Sequence, residues 1–106
     1  MNKRLTAPKK VLQTELGENS VVITDRMILE SDIIVLAFKS EEIFRLKVEF
    51  QAEKNGDWIN WHSGGAAPSG ALYFIGLGTY SMRISISDYT QPVTVWCWGL
   101  KNKVSF

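Results

Sequence analysis

A chain of 106 residues, 45% hydrophobic and 22% charged, has the ordinary globular balance and room for a single core, which excludes a disordered chain and a second domain. Twelve Lys+Arg against eleven Asp+Glu give a formal net charge of +1, so no global field recruits nucleic acid or an acidic membrane. One cysteine, Cys97, and one histidine, His62, exclude an internal disulfide framework and a transition-metal site within one chain.

Residues 1–19 read as an extended N-terminal arm. Lys3, Arg4, Lys9 and Lys10 fall in the first ten residues with no acid among them. No apolar run of signal-peptide type accompanies them, and nowhere do about 20 apolar residues run together as a membrane span needs. A reducing cytoplasm is the expected place of synthesis. Leu5, Val11, Leu12 and Leu16 are more apolar than a solvating tail requires. An arm that adds a strand to a neighbouring molecule would use them, with its lysines against an acidic surface.

From Ser20 onward the pattern is that of strands, and residues 20–106 read as one β-sandwich domain. Ser20-Val21-Val22-Ile23-Thr24 is β-branched, and Met27-Ile28-Leu29 follows a polar pair. Ile33 to Phe38 is continuously apolar, as a central strand would be. Residues 44–52 alternate Phe44, Leu46, Val48, Phe50 and Ala52 with polar residues, which period-two burial demands. Asn55-Gly56 supplies a turn and Trp58 to Trp61 the returning strand. Residues 63–70 are small and predict a mobile loop. Leu72 to Ile75 is a further strand, and Tyr80, Met82, Ile84 and Ile86 alternate with Ser81, Arg83, Ser85 and Ser87. Residues 93–98 and 104–106 complete the set. Short strands at roughly ten-residue intervals predict an all-β, antiparallel sandwich of jelly-roll or immunoglobulin-like type.

Candidate chemistry is sparse. Cys97 with His62 is formally a nucleophile and base, but a free cysteine in a strand is ordinarily a small buried hydrophobe. No carboxylate pair has a spacing that predicts convergence. Gly76-Leu77-Gly78 lacks the following helix of a phosphate loop. The expectation is a chain that is not an enzyme and carries no cofactor or metal.

Trp58, Trp61, Trp96 and Trp98 stand out. Trp96 and Trp98 share one face of the last long strand, with Val95 and Cys97 on the other, so both faces are apolar. Either the four rings fill the core, or some form an exposed platform that stacks on a sugar or anchors a subunit.

Val48-Glu49-Phe50 leading to Asn55-Gly56-Asp57-Trp58, then Gly78-Thr79-Tyr80-Ser81-Met82-Arg83-Ile84 and a closing apolar strand, resembles small β-sandwich proteins of tailed-phage virions. That resemblance covers under half of the chain. It implies a structural virion component, either a head decoration or cement protein or a collar, tail or fibre module. Such a protein would be a homo-oligomer contacting other virion proteins through its arm and an aromatic sheet face. The other reading is a carbohydrate-binding module whose tryptophans stack on a glycan. Single-stranded nucleic acid would need a more basic body.

Overall fold

A computed structural model describes residues 2–4, 6–66 and 68–102. Among the described residues nine strands and one short α-helix follow one another: β1 (Asn2–Arg4), β2 (Lys9–Gln13), β3 (Ser20–Ile23), α1 (Arg26–Leu29), β4 (Ile33–Lys39), β5 (Phe44–Gln51), β6 (Trp58–Ala66), β7 (Ser69–Ile75), β8 (Ser81–Ser87) and β9 (Thr94–Asn102). They form two antiparallel sheets, as the alternating sequence predicts. The first runs β1-β9-β4-β7, with β2 on the same edge of β9 as β1; the second runs β3-β8-β5-β6. From β2 to β9 the chain changes sheet at every step except β5 to β6.

Strand period two sorts the side chains between the core and the two outer faces. Leu12, Ile34, Leu36, Phe38, Phe74, Val95 and Cys97 of the first sheet meet Ile23, Phe44, Leu46, Val48, Met82, Ile84 and Ile86 of the second. The Phe38 and Phe44 rings touch edge to face across this layer, 5.5 Å apart.

Part of the segment predicted as an arm is a strand of this sandwich. Lys9–Gln13 pairs with Thr94–Cys97, and Leu12 is 1% exposed in the core. Five residues interrupted by a bulge at Val11 are too short to show period two in the sequence, so this strand is invisible there. Leu12 therefore serves the core of its own chain. Leu16, the last residue of a single 3-10 turn capped by Gly17 in the left-handed region, is exposed.

Two other expectations change. Met27–Leu29 belongs to a helical turn, because the Asp25 carboxylate accepts from the Met27 amide and caps it. Most of residues 63–70 is strand: Ser63, Gly64 and Gly65 pair with Lys47, Leu46 and Arg45, and Ser69 and Gly70 pair with Lys39 and Phe38. At Gly70 little room is left for a side chain, whereas Gly64 and Gly65 face open space. A Cβ on Gly70 would stand 3.3 Å from the Phe38 ring. Residues 104–106 lie outside the described residues.

The end of the first sheet is closed by a tight corner at Ser31. A Cβ on Gly76 would fall on the Ser31 carbonyl oxygen, and one on Gly99 would lie 2.7 Å from the Ser31 side chain. Ser31 is buried, and its hydroxyl donates to the carbonyls of Ile28 and Ile33. Gly76→Ala should lower the melting temperature sharply while Gly64→Ala, whose Cβ meets nothing within 4 Å, should shift it little; thermal unfolding measures both. Leu12→Ala should cost about 2–5 kcal/mol in denaturant unfolding, the range for emptying a packed leucine site, whereas loss of an arm side chain would cost almost nothing.

Candidate functional site: the outer face of the first sheet

The four tryptophans divide three ways. Trp61 sits at a register shift in β6, between Asn60 opposite Glu49 and His62 opposite Val48. The bulge turns its ring inward, 5.1 Å from the Phe50 ring and 4.9 Å from that of Phe74. Trp58 lies on the outer face of the second sheet with the Arg83 guanidinium 4.4 Å above it. Arg83 in turn bonds Glu49 Oε1 through Nε and Nη2, at 3.0 and 2.9 Å, and Lys47 Nζ lies 3.6 Å from Oε2. That face is a polar lattice of Ser81, Arg83, Ser85, Arg45, Lys47, Glu49 and Gln51.

Trp96 and Trp98 lie on the outer face of the first sheet, where the pattern is opposite. Register aligns three rows across β7, β4 and β9: Ile75, Ile33 and Leu100; Tyr73, Val35 and Trp98; Ala71, Ala37 and Trp96. All point away from the core. Val35 is only 2% exposed although no third layer covers it among the described residues, because Tyr73 and Trp98 flank it. Tyr73 is 69% exposed and Ile75 75%. The result is a contiguous apolar surface on one side of a sheet, a feature that marks contact sites on folded proteins.

Polar groups gather at one end of this surface. Lys39 stands between Ser69 and Thr94, and Lys10 beside Trp96. A shallow hollow of about 530 Å³ opens there, bordered by Lys10, Glu15, Lys39, Glu41, Thr94 and Trp96. Its two lysines and two glutamates balance in charge.

Of the interface residues read from the sequence, this face brings together Lys10, Trp96 and Trp98, and leaves Trp58 and Trp61 elsewhere. Lys9 and Val11 border a separate groove between β2 and β3. Lys3 and Arg4 lie in β1, opposite Lys101 and Leu100, and Leu5 lies outside the described residues. Sequence reasoning missed Tyr73, Ile75, Ile33, Val35 and Leu100. The signal for them was the unbroken apolar run of β4, which reads equally well as a strand covered on both sides.

Cys97 faces the core on β9, fully buried, while His62 lies on β6 with its ring 6.5 Å from that of Phe74. No hydrogen bond joins the two. Burial, reinforced by the negative charge of Asp25, pushes the Cys97 thiol up to about 12. A buried neutral thiol is a poor nucleophile. Among the described residues no three His, Cys, Asp or Glu side chains cluster as metal ligands would.

No protein-family model and no curated protein sequence matches the chain. Among solved structures it is similar to the Glycosylation Associate Protein (Gap123) complex from Streptococcus agalactiae, with a TM-score of 0.52 and 10% identity. That match covers 95% of this chain and 48% of the other, so the chain spans about half the length of its neighbour. It is also similar to CBM28, a carbohydrate-binding module specific for non-crystalline cellulose, with a TM-score of 0.43 and 13% identity over 77% of this chain and 64% of that one. At such identities the first likeness speaks to the β-sandwich fold alone.

The Cys97 thiol gives a pH-dependent expectation. Its folded value lies above the ordinary one of 9.0, so its stabilising contribution is complete below pH 9 and is lost as the pH rises from there towards about 12. Denaturant unfolding between pH 8 and about 11 should fall more steeply for the wild type than for Cys97→Val. A thiol reagent should label the native chain no faster than global unfolding allows.

Proposed function

We propose that this chain is a non-enzymatic structural subunit, held in a larger assembly by the outer face of its first sheet. The observation that carries the reading is the row Tyr73, Val35, Trp98 beside the row Ile75, Ile33, Leu100. Only two side chains in these rows could bond a sugar hydroxyl, the Tyr73 phenol and the Trp98 indole N–H; the remainder are aliphatic. An apolar face with aromatic anchors and a polar fringe suits a protein partner, since burying such rings supplies most of the energy of a protein contact.

The order of strands supports a finer reading. Two four-position sheets ordered β2-β9-β4-β7 and β3-β8-β5-β6 have the wrapping of a jelly roll rather than of an immunoglobulin domain, and jelly rolls serve viral shells and lectins alike. Fold analogy alone does not select between these. Together with the resemblance of residues 48–95 to tailed-phage virion proteins, it favours a particle component, with other virion proteins and copies of this chain as its partners.

The glycan reading retains one observation in its favour, the polar hollow beside Trp96. The two readings place their weight on different residues. Assembly through the apolar rows should be lost in the chain carrying Trp98→Ser and Leu100→Ser, with the fold kept, since neither ring nor isobutyl group lies in the core. Mass spectrometry of purified particles from the source, complemented with each variant, should find the wild type and Trp96→Ser incorporated and the double variant missing. If instead the chain is absent from particles and soluble oligosaccharides quench tryptophan fluorescence in a Trp96-dependent way, the structural reading is wrong.

A further inference from the structure

The four sheet edges are unequally guarded. β2 carries Lys9, Lys10 and a bulge at Val11; β3 is four residues long; β6 is broken by the shift at Trp61. Charges, bulges and shortness are the usual means of keeping an edge from pairing with another chain. β7 has none of them. Ser69-Gly70-Ala71-Leu72-Tyr73-Phe74-Ile75 carries no charge, pairs with β4 in unbroken register over all seven residues, and is the last strand of its sheet.

Its free hydrogen-bonding groups can be identified. The Ser40 amide donates to the Pro68 carbonyl, and the Gly76 amide donates to the Asp32 carbonyl. Both bonds place even-numbered residues of this stretch towards β4. By the alternation of antiparallel strands, Ser69, Ala71, Tyr73 and Ile75 therefore turn their N–H and C=O groups to the open edge.

We infer that β7 is a homodimerisation edge, pairing antiparallel with β7 of a second copy about a two-fold axis at Leu72. The side chains select this occupant. Around Leu72 the strand is small on one side and large on the other, so the symmetric pairing sets Ala71 against Tyr73, Gly70 against Phe74, and Ser69 against Ile75. Each large residue meets a small one on the same face. The residues with open backbone groups also fall opposite one another, so Ala71 and Tyr73, and likewise Ser69 and Ile75, exchange both bonds. Leu72 meets its own copy at a non-hydrogen-bonded position. Such a two-fold contact is self-complementary and closes, which stops growth at two copies. It would join two first sheets into one and make their apolar outer faces continuous. This edge pairing does not depend on what covers those faces.

Ala71→Pro tests it without harming the monomer, because the amide it removes points away from β4 and proline is tolerated on such an edge. Light scattering of the purified full chain should give twice the chain mass for the wild type and for Trp98→Ser. Ala71→Pro should give a single chain mass, with an unchanged circular dichroism spectrum. Leu72→Cys should form a disulfide dimer under mild oxidation, since facing Cα atoms at a non-hydrogen-bonded pair lie about 4.5 Å apart. Ile75→Cys, facing Ser69, should not. A wild type that stays monomeric at high concentration overturns the inference. So does a dimer that survives Ala71→Pro, or one that Trp98→Ser abolishes; the last of these would place self-association on the sheet face instead.

Discussion

The close approach of Ser31 to Gly76 and Gly99 is the constraint on which the remaining geometry rests. Here the chain leaves α1 and enters β4, and backbone bonds tie Asp32 to Gly76 on one side and to Leu100 on the other. With both neighbours fixed at this end, β4 has one register against each. A slip of one residue would exchange its two faces, sending Ile33, Val35 and Ala37 inward and Ile34, Leu36 and Phe38 out. Since β4 is apolar on both faces, hydrophobic burial alone discriminates poorly between these arrangements. The glycines and the buried serine supply the discrimination that composition lacks.

The two outer faces then differ for a reason visible in each strand. β5 and β8 alternate apolar with Arg, Lys, Glu and Ser, so their sheet presents a wet face on which Glu49, Arg83, Lys47 and Trp58 hold one another. Trp58 is satisfied there, with its ring under a cation. β4, β7 and β9 have no such alternation, and their sheet presents Trp96, Trp98, Tyr73 and Ile75. A sandwich with one polar and one apolar exterior has a direction, and the assembly role proposed above rests on that asymmetry.

Much of the fold was legible in the sequence where period two is sustained. Within residues 44–52 and 80–87 the alternation itself shows the faces of Phe44–Gln51 and Ser81–Ser87, while Ala52 and Tyr80, expected on the buried side, lie beyond the strands and are exposed; Asn55 takes the positive φ that its turn requires. What was hidden depended on contacts distant in the chain. Lys9–Gln13 becomes a strand only because β9 is there to receive it. Ser63 to Gly65 and Ser69 to Gly70 look like a loop because their residues are small, and only the long-range pairing with β5 and β4 makes them strand; at Gly70 the Phe38 ring also leaves little space. Of the candidate site, Trp96 and Trp98 could be assigned to one face from their spacing. Tyr73, Val35 and Leu100 could not, because a continuous apolar run conceals which side of a sheet is covered.

The central position of β9 also governs the order in which the molecule can be built. β4, β2 and β1 all hydrogen-bond to it, yet it is the last strand described, and Leu12 must wait for Val95, over 80 residues further on. During synthesis the second sheet can pair β5, β6 and β8 before any of β9 exists, whereas β4 and β7 can pair only with each other and hold an apolar strand open to whatever is near. Pairings of such long reach are slow to form. The first sheet is thus the last part of the chain to become native, and until then the most exposed to association with the wrong partner.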